Sequence, residues 1–237
     1  MPQPVEPPAT PWNLCDLALT EDEDLVAVGA DLEPGTLLEG YRSGLFPMGL
    51  DDDGAPPFGW WSPDPRGVLD PAQMHLSRSL RRSMRTWRFT WDSDFDAVLT
   101  GCADPTRPGR WITDEIRGAY RELYDLGWAH SVEVWDGDEL IGGLYGVAVG
   151  GLFAGESMFR RRTDASKAAL AALVAVMRTD HDPRRIIDVQ WATPHLSSLG
   201  VQEIPRDDYF DRLALALQAP PLNVPSGTSI QVPFRAR

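Results

Sequence analysis

The segment RIIDVQW, residues 185–191, places a carboxylate and an amide inside an otherwise apolar stretch that reads as a strand. Side chains of a strand alternate between its two faces, so Asp188 and Gln190 are predicted to share one face, ~7 Å apart. Burying such polar groups without partners costs several kcal/mol. The pair therefore indicates either a cluster that orients a reacting group or a structural hydrogen-bond network.

A second carboxylate, Glu156, lies in the segment LFAGESMF, residues 152–159. Alternation puts it on one face with Leu152, Ala154 and Met158, which are small or flexible apolar side chains. Such surroundings are typical of a pocket for an apolar ligand that carries a cation. The alternative interpretation is a glutamate paired within the core.

Basic residues are concentrated in the segment 74–91, which contains five arginines and no acid. Four of these arginines are predicted to share one helix face, because they follow one another at i, i+3, i+4 and i+7: Arg78, Arg81, Arg82 and Arg85. An arginine face without balancing acids is typical of phosphate recognition in a nucleic acid. A solvated helix face is the alternative.

The net charge of −13 argues against a nucleic-acid partner, but the charge is unevenly distributed. Residues 1–62 carry twelve acids and one base, whereas the rest of the chain is close to balanced. No P-loop, HExxH or GxGxxG motif is present, and the four histidines show no metal-ligand spacing. No apolar run reaches the ~18–20 residues of a membrane helix. We therefore expect neither a metal ion nor a membrane partner.

Hydrophobic periodicity predicts helices at 34–43, 77–86, 93–101, 113–126 and 165–178, and strands at 88–92, 131–135, 139–149, 152–159 and 185–191. Ser77, Thr113 and Asp164 are the predicted N-caps of three of these helices. This order of elements predicts an α+β (mixed α/β) fold with a largely antiparallel sheet. The loop-like segment 51–65 is rich in proline and glycine. It marks a predicted boundary between a small acidic N-terminal domain, residues 1–62, and a larger domain, residues 63–237.

Six collinear blocks cover much of residues 25–210: VAVGADLEPGTLLEGYRSGLFP (26–47), WWSPDPRGVL (60–69), HLSRSLRRSMR (75–85), WIT (111–113), LGWAHSVEVWDGDELIGGLYGVAVGGLFAGESMFRRRTDASKAAL (126–170) and IDVQWATPHLSSLGVQEIPRDDY (187–209). Together they resemble the leucyl/phenylalanyl-tRNA–protein transferase family of the bacterial N-end rule. The resemblance implies transfer of Leu, Phe or sometimes Met from aminoacyl-tRNA to a protein whose N-terminus is Lys or Arg.

For the fold, the resemblance implies a small N-terminal domain followed by a GNAT-like (N-acetyltransferase-like) domain that uses no acyl-CoA. The expected partners are tRNA charged with Leu or Phe and acceptor proteins with an N-terminal Lys or Arg. Because the donor is already an activated ester, we expect no cofactor. We further expect a cytoplasmic monomer.

The resemblance also implies roles for residues at matching positions. Asp188 and Gln190 match the catalytic Asp-x-Gln of the family. Glu156 matches an active-site glutamate, and Trp111 matches a tryptophan at the aminoacyl-adenosine site. The matches to the pocket for the aminoacyl side chain and to neighbouring active-site segments are Leu144, Ala154 and Met158, and Phe153, Gly155, Ser157 and Thr193. Three positions depart from the family pattern: Met48 replaces a usual Trp, Ala30 the second Gly of a Gly-Gly-Asp, and Leu144 a frequent Met.

The chemistry of this reaction requires positioning more than a strong base. An α-amine has an ordinary pKa of about 7.7–8.0, so part of it is neutral near pH ~7.5 and can attack the ester. A glutamine amide is a very weak base. We therefore expect Gln190 to position the amine, and Asp188 to orient Gln190 and favour the developing ammonium. Glu156 is expected to recognise the cationic end of the acceptor, and the arginine face to hold tRNA through its phosphates.

Two other functions compete with this interpretation. An acyl-CoA-dependent N-acyltransferase of the same fold usually carries a glycine-rich pyrophosphate loop at a helix start. Here the loop RRRTDAS, residues 160–166, contains no glycine. A non-enzymatic module that binds tRNA or degrons would bind tRNA regardless of its aminoacylation.

Overall fold

The computed structural model describes residues 3–17, 23–51, 53–106 and 111–233. The helices are α1 Pro34–Arg42, α2 Arg78–Ser83, α3 Phe95–Cys102, α4 Asp114–Asp125, α5 Ala165–Met177, α6 Pro194–Ser197 and α7 Arg206–Leu217. The strands are β1 Leu25–Val28, β2 Phe46–Gly49, β3 Phe58–Trp61, β4 Arg66–Leu69, β5 Arg88–Trp91, β6 Ala129–Asp136, β7 Glu139–Val149, β8 Leu152–Arg160, β9 Ile186–Gln190, β10 Gln202–Ile204 and β11 Thr228–Ser229. These elements confirm the predicted α+β class.

The strands form two sheets. A small antiparallel sheet has the order β1-β3-β2. The large sheet has the order β10-β4-β9-β8-β7-β6-β5-β11. Among its described pairs, β8 and β9 run parallel and the others antiparallel, which confirms the prediction of a largely antiparallel sheet.

The segment 51–65, predicted to be loop-like, contains β3, the central strand of the small sheet. Trp60 in this strand is fully buried, and its indole N–H donates to the carbonyl oxygen of Gly29 at 2.9 Å. The surrounding prolines and glycines make the segment resemble a loop in sequence, so its four-residue strand was not predicted. Pairing with β1 and β2 on both sides supplies the support that the local sequence lacks.

Two hydrophobic cores lie on opposite faces of the large sheet. One core joins buried residues of α1, α3, α4 and α7, and the other joins those of α5 with Leu80 and Met84. Nearly every residue of α5 is buried, as expected for a helix with further layers on both sides. Tyr41 and Tyr120, from opposite sides of the predicted boundary at residue 62, belong to the same core. The division into two domains remains a prediction.

The helix starts follow the predicted caps with one exception. The hydroxyls of Ser77 and Thr113 accept hydrogen bonds from backbone N–H groups in the first turns of α2 and α4. Asp164 precedes α5, but its side chain makes no cap. Its φ of 71° is left-handed, and its carboxylate accepts a hydrogen bond from Ser83 Oγ at 3.0 Å. The structure confirms Asp164 as the N-cap position of α5, but its side chain makes no capping hydrogen bond because a tertiary contact with the end of α2 engages the carboxylate.

Within the described ranges, the helices are too short or too polar to cross a bilayer.

Candidate active site

A cavity of about 250 Å³ lies at the centre of the large sheet, beside α5 and α6. Its wall is mostly apolar and consists of Leu144, Met158, Leu170, Leu173, Ile187, Val189 and Leu196. The polar part of the lining consists of Gly155, Glu156, Ser157 and Gln190. An apolar cavity with a few polar groups at one side is the usual form of a site for a small apolar ligand.

The cavity brings together six of the residues singled out in the sequence: Leu144, Gly155, Glu156, Ser157, Met158 and Gln190. Phe153 and Ala154 are fully buried and do not line it. Trp111 is half-buried just before α4, and Thr193 caps α6, both outside the cavity wall. The sequence analysis missed the apolar wall supplied by α5 and α6. The signal for it is the apolar periodicity of α5.

Glu156 owes its position to a β-bulge. Tyr145 of β7 pairs with Ser157 and Gly146 pairs with Gly155, so Glu156 is the extra residue of β8. A bulge interrupts the alternation of side chains and re-aims the residue it contains. Consecutive residues of β8 therefore line the cavity, which strict alternation does not allow.

The Glu156 carboxylate is held at one oxygen and unpartnered at the other. Tyr120 Oη donates to Oε2 of Glu156 at 2.8 Å, and Tyr41 Oη lies 2.5 Å from Tyr120 Oη. Oε1 of Glu156 is buried and has no hydrogen-bond partner among the described residues. Burial raises the pKa of Glu156 to about 7, against the lowering effect of the two tyrosine hydroxyls.

The Asp188 carboxylate, in contrast, is saturated. Arg66 donates to it from Nε at 2.9 Å and from Nη2 at 2.6 Å, and Tyr209 Oη donates at 2.9 Å. The backbone N–H of Gln190 donates at 2.9 Å. Four hydrogen bonds use about all the acceptor sites of a carboxylate. Burial opposes the charge on Arg66, but attraction to Asp188 raises the pKa of the guanidinium above its ordinary value.

Gln190 has a left-handed backbone, with a φ of 59°. This conformation is costly for a residue with a Cβ, and such strain often accompanies a functional site. The chain turns tightly here, since the backbone N–H of Trp191 donates to the carbonyl oxygen of Val189 at 2.7 Å. Gly67 of β4 packs closely against this turn, because a Cβ on it would lie only 2.7 Å from the backbone nitrogen of Ala192. Gln190 lines the cavity and its Nε2 is buried without a partner in the described chain, whereas Asp188 does not line the cavity. The structure thus separates two side chains that strict alternation placed on one face.

The arginine face is less regular than the sequence predicts. α2 ends at Ser83 and continues as a 3-10 turn over Met84–Thr86, so Arg85 lies beyond the α-helix. Arg78, Arg82 and Arg85 are exposed, and none of them forms an ion pair with another described residue. Arg81 is half-buried.

The sequence profile of leucyl/phenylalanyl-tRNA protein transferases matches residues 68–214, and the profile of their N-terminal domain matches residues 30–64. A leucyl/phenylalanyl-tRNA–protein transferase of Shewanella baltica strain OS195 is 47% identical over 222 residues, which cover 92% of this chain and 91% of the relative. The chain belongs to the leucyl/phenylalanyl-tRNA–protein transferase family. The corresponding protein of Tolumonas auensis is 49% identical over 201 residues, which cover 83% of this chain and 84% of the relative.

Membership in the leucyl/phenylalanyl-tRNA–protein transferase family confirms the resemblance seen in the sequence and makes the chain a transferase. In the described part of this transferase, no three His, Cys, Asp or Glu side chains converge in a way that could hold a metal ion.

Proposed function

We propose that this transferase moves Leu or Phe, and also Met, from aminoacyl-tRNA to the N-terminal Lys or Arg of acceptor proteins, which marks them for N-end rule degradation. The observation that supports this best is the cavity of about 250 Å³, in which an apolar wall adjoins two polar atoms that have no hydrogen-bond partner among the described residues. The wall fits an unbranched, branched or aromatic apolar side chain. Of the polar atoms, Gln190 Nε2 suits the reacting ester and Glu156 Oε1 suits the cationic end of the acceptor.

The reaction is aminolysis of an ester. The lone pair of the acceptor's α-amine attacks the carbonyl carbon, a C–N bond forms, and the C–O bond to the terminal ribose breaks. The ribose oxygen leaves and takes up the proton that the amine releases. Holding amine and ester together can lower the barrier by up to ~7–11 kcal/mol in favourable cases.

Gln190 is the proposed catalytic residue that touches both reactants. An amide offers one acceptor oxygen and an N–H₂ donor. The oxygen holds the attacking amine, and Nε2 donates to the carbonyl oxygen, on which negative charge develops. This assignment extends the expected role of Gln190 from the amine to the ester.

Asp188 acts through the backbone of Gln190. Its four acceptor sites are occupied, and the guanidinium of Arg66 compensates its charge. We therefore assign Asp188 a positioning role and no longer expect it to favour the developing ammonium. Arg66 and Tyr209 join it as positioning residues.

Glu156 is the proposed recognition group for the cationic end of the acceptor protein. Its Oε1 can accept a hydrogen bond from an ammonium or guanidinium group. Among the sites outside the cavity, Trp111 is proposed to contact the terminal adenosine, and Thr193 is proposed to belong to an active-site segment. The arginine face, Arg78, Arg81, Arg82 and Arg85, is proposed to bind tRNA phosphates. Phe153 and Ala154 support the cavity from behind. We further propose a cytoplasmic monomer with its catalytic domain in residues 63–237.

The test is transfer of radiolabelled leucine from Leu-tRNA to a peptide with an N-terminal Arg, beside a matched peptide with an N-terminal Ala. We expect transfer to the Arg peptide alone, without CoA or ATP. Equal transfer to both peptides contradicts the acceptor rule. A requirement for acyl-CoA supports the N-acyltransferase, and tRNA binding without transfer supports the binding module.

A further inference from the structure

A second groove of about 800 Å³ adjoins the cavity, and Met158 belongs to the walls of both. One wall is formed by the end of α3 and the residues after it, up to Thr106. The other is formed by the end of β8, the start of α5 and His195. The groove therefore leads away from the place where we position the aminoacyl ester.

The described lining of the groove has more basic than acidic side chains, with Arg117, Arg160 and Arg161 against Asp104. Arg160 and Arg161 are exposed, and neither forms an ion pair with a described residue. Arg161 donates to the carbonyl oxygen of Leu140 and lies 5.6 Å from the centre of the Phe159 ring, which fixes the guanidinium and leaves its charge intact. The carboxylate in the lining, Asp104, accepts hydrogen bonds from Thr106 in its own turn.

Further cations lie beside the groove. Burial, Lys167 and Arg160 together lower the pKa of His195, against the opposing effect of Asp164. Both cations are thus close enough to His195 to disfavour its protonation. This agrees with a positive potential over the start of α5.

The groove also continues toward the arginine face. Ser83 Oγ donates to Asp164 at 3.0 Å, which joins the end of α2 to the start of α5. Arg82 and Arg85 flank this contact in the sequence, and Lys167 lies in the first turn of α5. The Ser83–Asp164 contact therefore joins the helix that carries the arginine face to the start of α5, where Lys167 and Arg160 lie near His195 of the groove.

We propose that this groove binds the phosphodiester backbone of the single-stranded 3′ end of the tRNA, between the aminoacyl ester in the cavity and the helical stem on the arginine face. The inference rests on the proposed function, because it takes aminoacyl-tRNA as the donor. Guanidinium groups bind phosphate oxygens without regard to base identity. An acceptor peptide fits the groove less well, because its N-terminal Lys or Arg is repelled by the same cations.

The test compares three donors that carry increasing lengths of the 3′ strand: phenylalanyl-adenosine, the phenylalanyl ester of the trinucleotide CpCpA, and Phe-tRNA. The variant is Arg160→Ala with Arg161→Ala. The matched control is the next residue, Arg162→Ala, because the Arg162 guanidinium pairs with Asp136 and Glu139 and does not line the groove. Thermal unfolding confirms that each variant is folded.

We expect the groove variant to raise KM for the trinucleotide ester and for Phe-tRNA about fivefold, and to lower the salt slope by about 0.7 for each lost phosphate contact. Phenylalanyl-adenosine has no phosphate, so the variant and the control should use it alike. Equal KM values of variant and control for the trinucleotide ester overturn the inference. A higher KM for the Arg peptide, with the trinucleotide unaffected, also overturns it and assigns the groove to the acceptor.

Equilibrium binding of the uncharged CpCpA trinucleotide separates this inference from the proposed function. If phenylalanyl-adenosine supports transfer but the groove variant binds the trinucleotide as tightly as the control, the groove assignment alone is wrong. If the variant weakens trinucleotide binding but no donor supports transfer, the groove assignment stands and the proposed function fails.

Discussion

Two buried carboxylates on the neighbouring strands β8 and β9 have opposite surroundings. Asp188 receives four hydrogen bonds and a guanidinium, whereas Glu156 receives a hydroxyl at Oε2 and has no partner at Oε1 among the described residues. Asp188 lies outside the cavity and Glu156 lines it. We infer that Asp188, whose acceptor sites are all occupied by hydrogen bonds, holds the neighbouring residues in place. Glu156, which keeps a vacant oxygen, is available to bind a ligand.

The electrostatics of the two groups follow from these partners. Arg66 and Asp188 form an ion pair in a dry environment, where an unpaired charge would be very costly. Glu156 has no such cation at hydrogen-bond distance, and burial therefore raises its pKa to about 7. A destabilised group in a cavity is typical of a functional site, because folding alone favours its replacement.

The largest expected change in the free energy of unfolding comes from removing the cationic partner of Asp188, which leaves it, like Glu156, with a vacant acceptor site. Arg66→Met removes the compensating charge and leaves a buried carboxylate with a vacant side, which should lower the free energy of unfolding by about 3–5 kcal/mol. Urea denaturation measures this loss. The exposed Arg162→Met, which also breaks ion pairs, should cost under about 1 kcal/mol. Adding Asp188→Asn to Arg66→Met should recover part of the loss, and equal losses for Arg66→Met and Arg162→Met contradict the comparison.

A smaller change in the free energy of unfolding is expected when the charge of Glu156 is removed. The folded pKa of Glu156, about 7, lies above the ordinary 4.5, so its favourable contribution is complete below pH 4.5 and is lost as the pH rises through 7. Glu156→Gln stays neutral and should therefore gain stability relative to the parent at pH 8, by about 2–3 kcal/mol. At pH 4 the gain should vanish.

Unfolding at pH 4 and at pH 8 tests this prediction, with the exposed Glu203→Gln as the control that shows no gain. The same Glu156→Gln variant should lose preference for the Arg peptide over the Ala peptide. A variant that is stabilised and keeps full preference separates the burial of Glu156 from its proposed role in recognition.

The sequence predicted the elements that carry the two carboxylates better than the surroundings of either one. The hairpin of β6 and β7, the apolar helix α5 and the strand β9 have periodic patterns, and the structure confirms each of them. The bulge at Glu156 and the left-handed Gln190 interrupt those patterns, and both depend on register with a neighbouring strand.

The hydrogen-bond partners of Asp188 could not be predicted from the sequence, because they lie far from Asp188 along the chain. Arg66 is 122 residues away and Tyr209 is 21 residues away. A carboxylate in an apolar strand does predict that a hydrogen-bond or ion-pair partner exists, but many arginines in the chain could be that partner. Tyr120 lies 36 residues before Glu156 and Tyr41 lies farther still, so no local spacing connects Glu156 with the two hydroxyls that lower its pKa.

The smallest expected change in stability concerns the left-handed backbone of Gln190. It tests whether the hydrogen bond to Asp188 holds this backbone in a strained conformation. Gln190→Gly and Gln190→Ala both remove the amide, so both should slow transfer with saturating donor and acceptor. Glycine adopts a φ of 59° without the steric cost of a Cβ, so Gln190→Gly should be more stable than Gln190→Ala by about 1 kcal/mol. Because the two variants share the lost side chain, urea denaturation isolates the backbone contribution. Equal stability of the two would mean that the hydrogen bond from the Gln190 N–H to Asp188 holds no strain, and the saturated carboxylate would then only pair with Arg66.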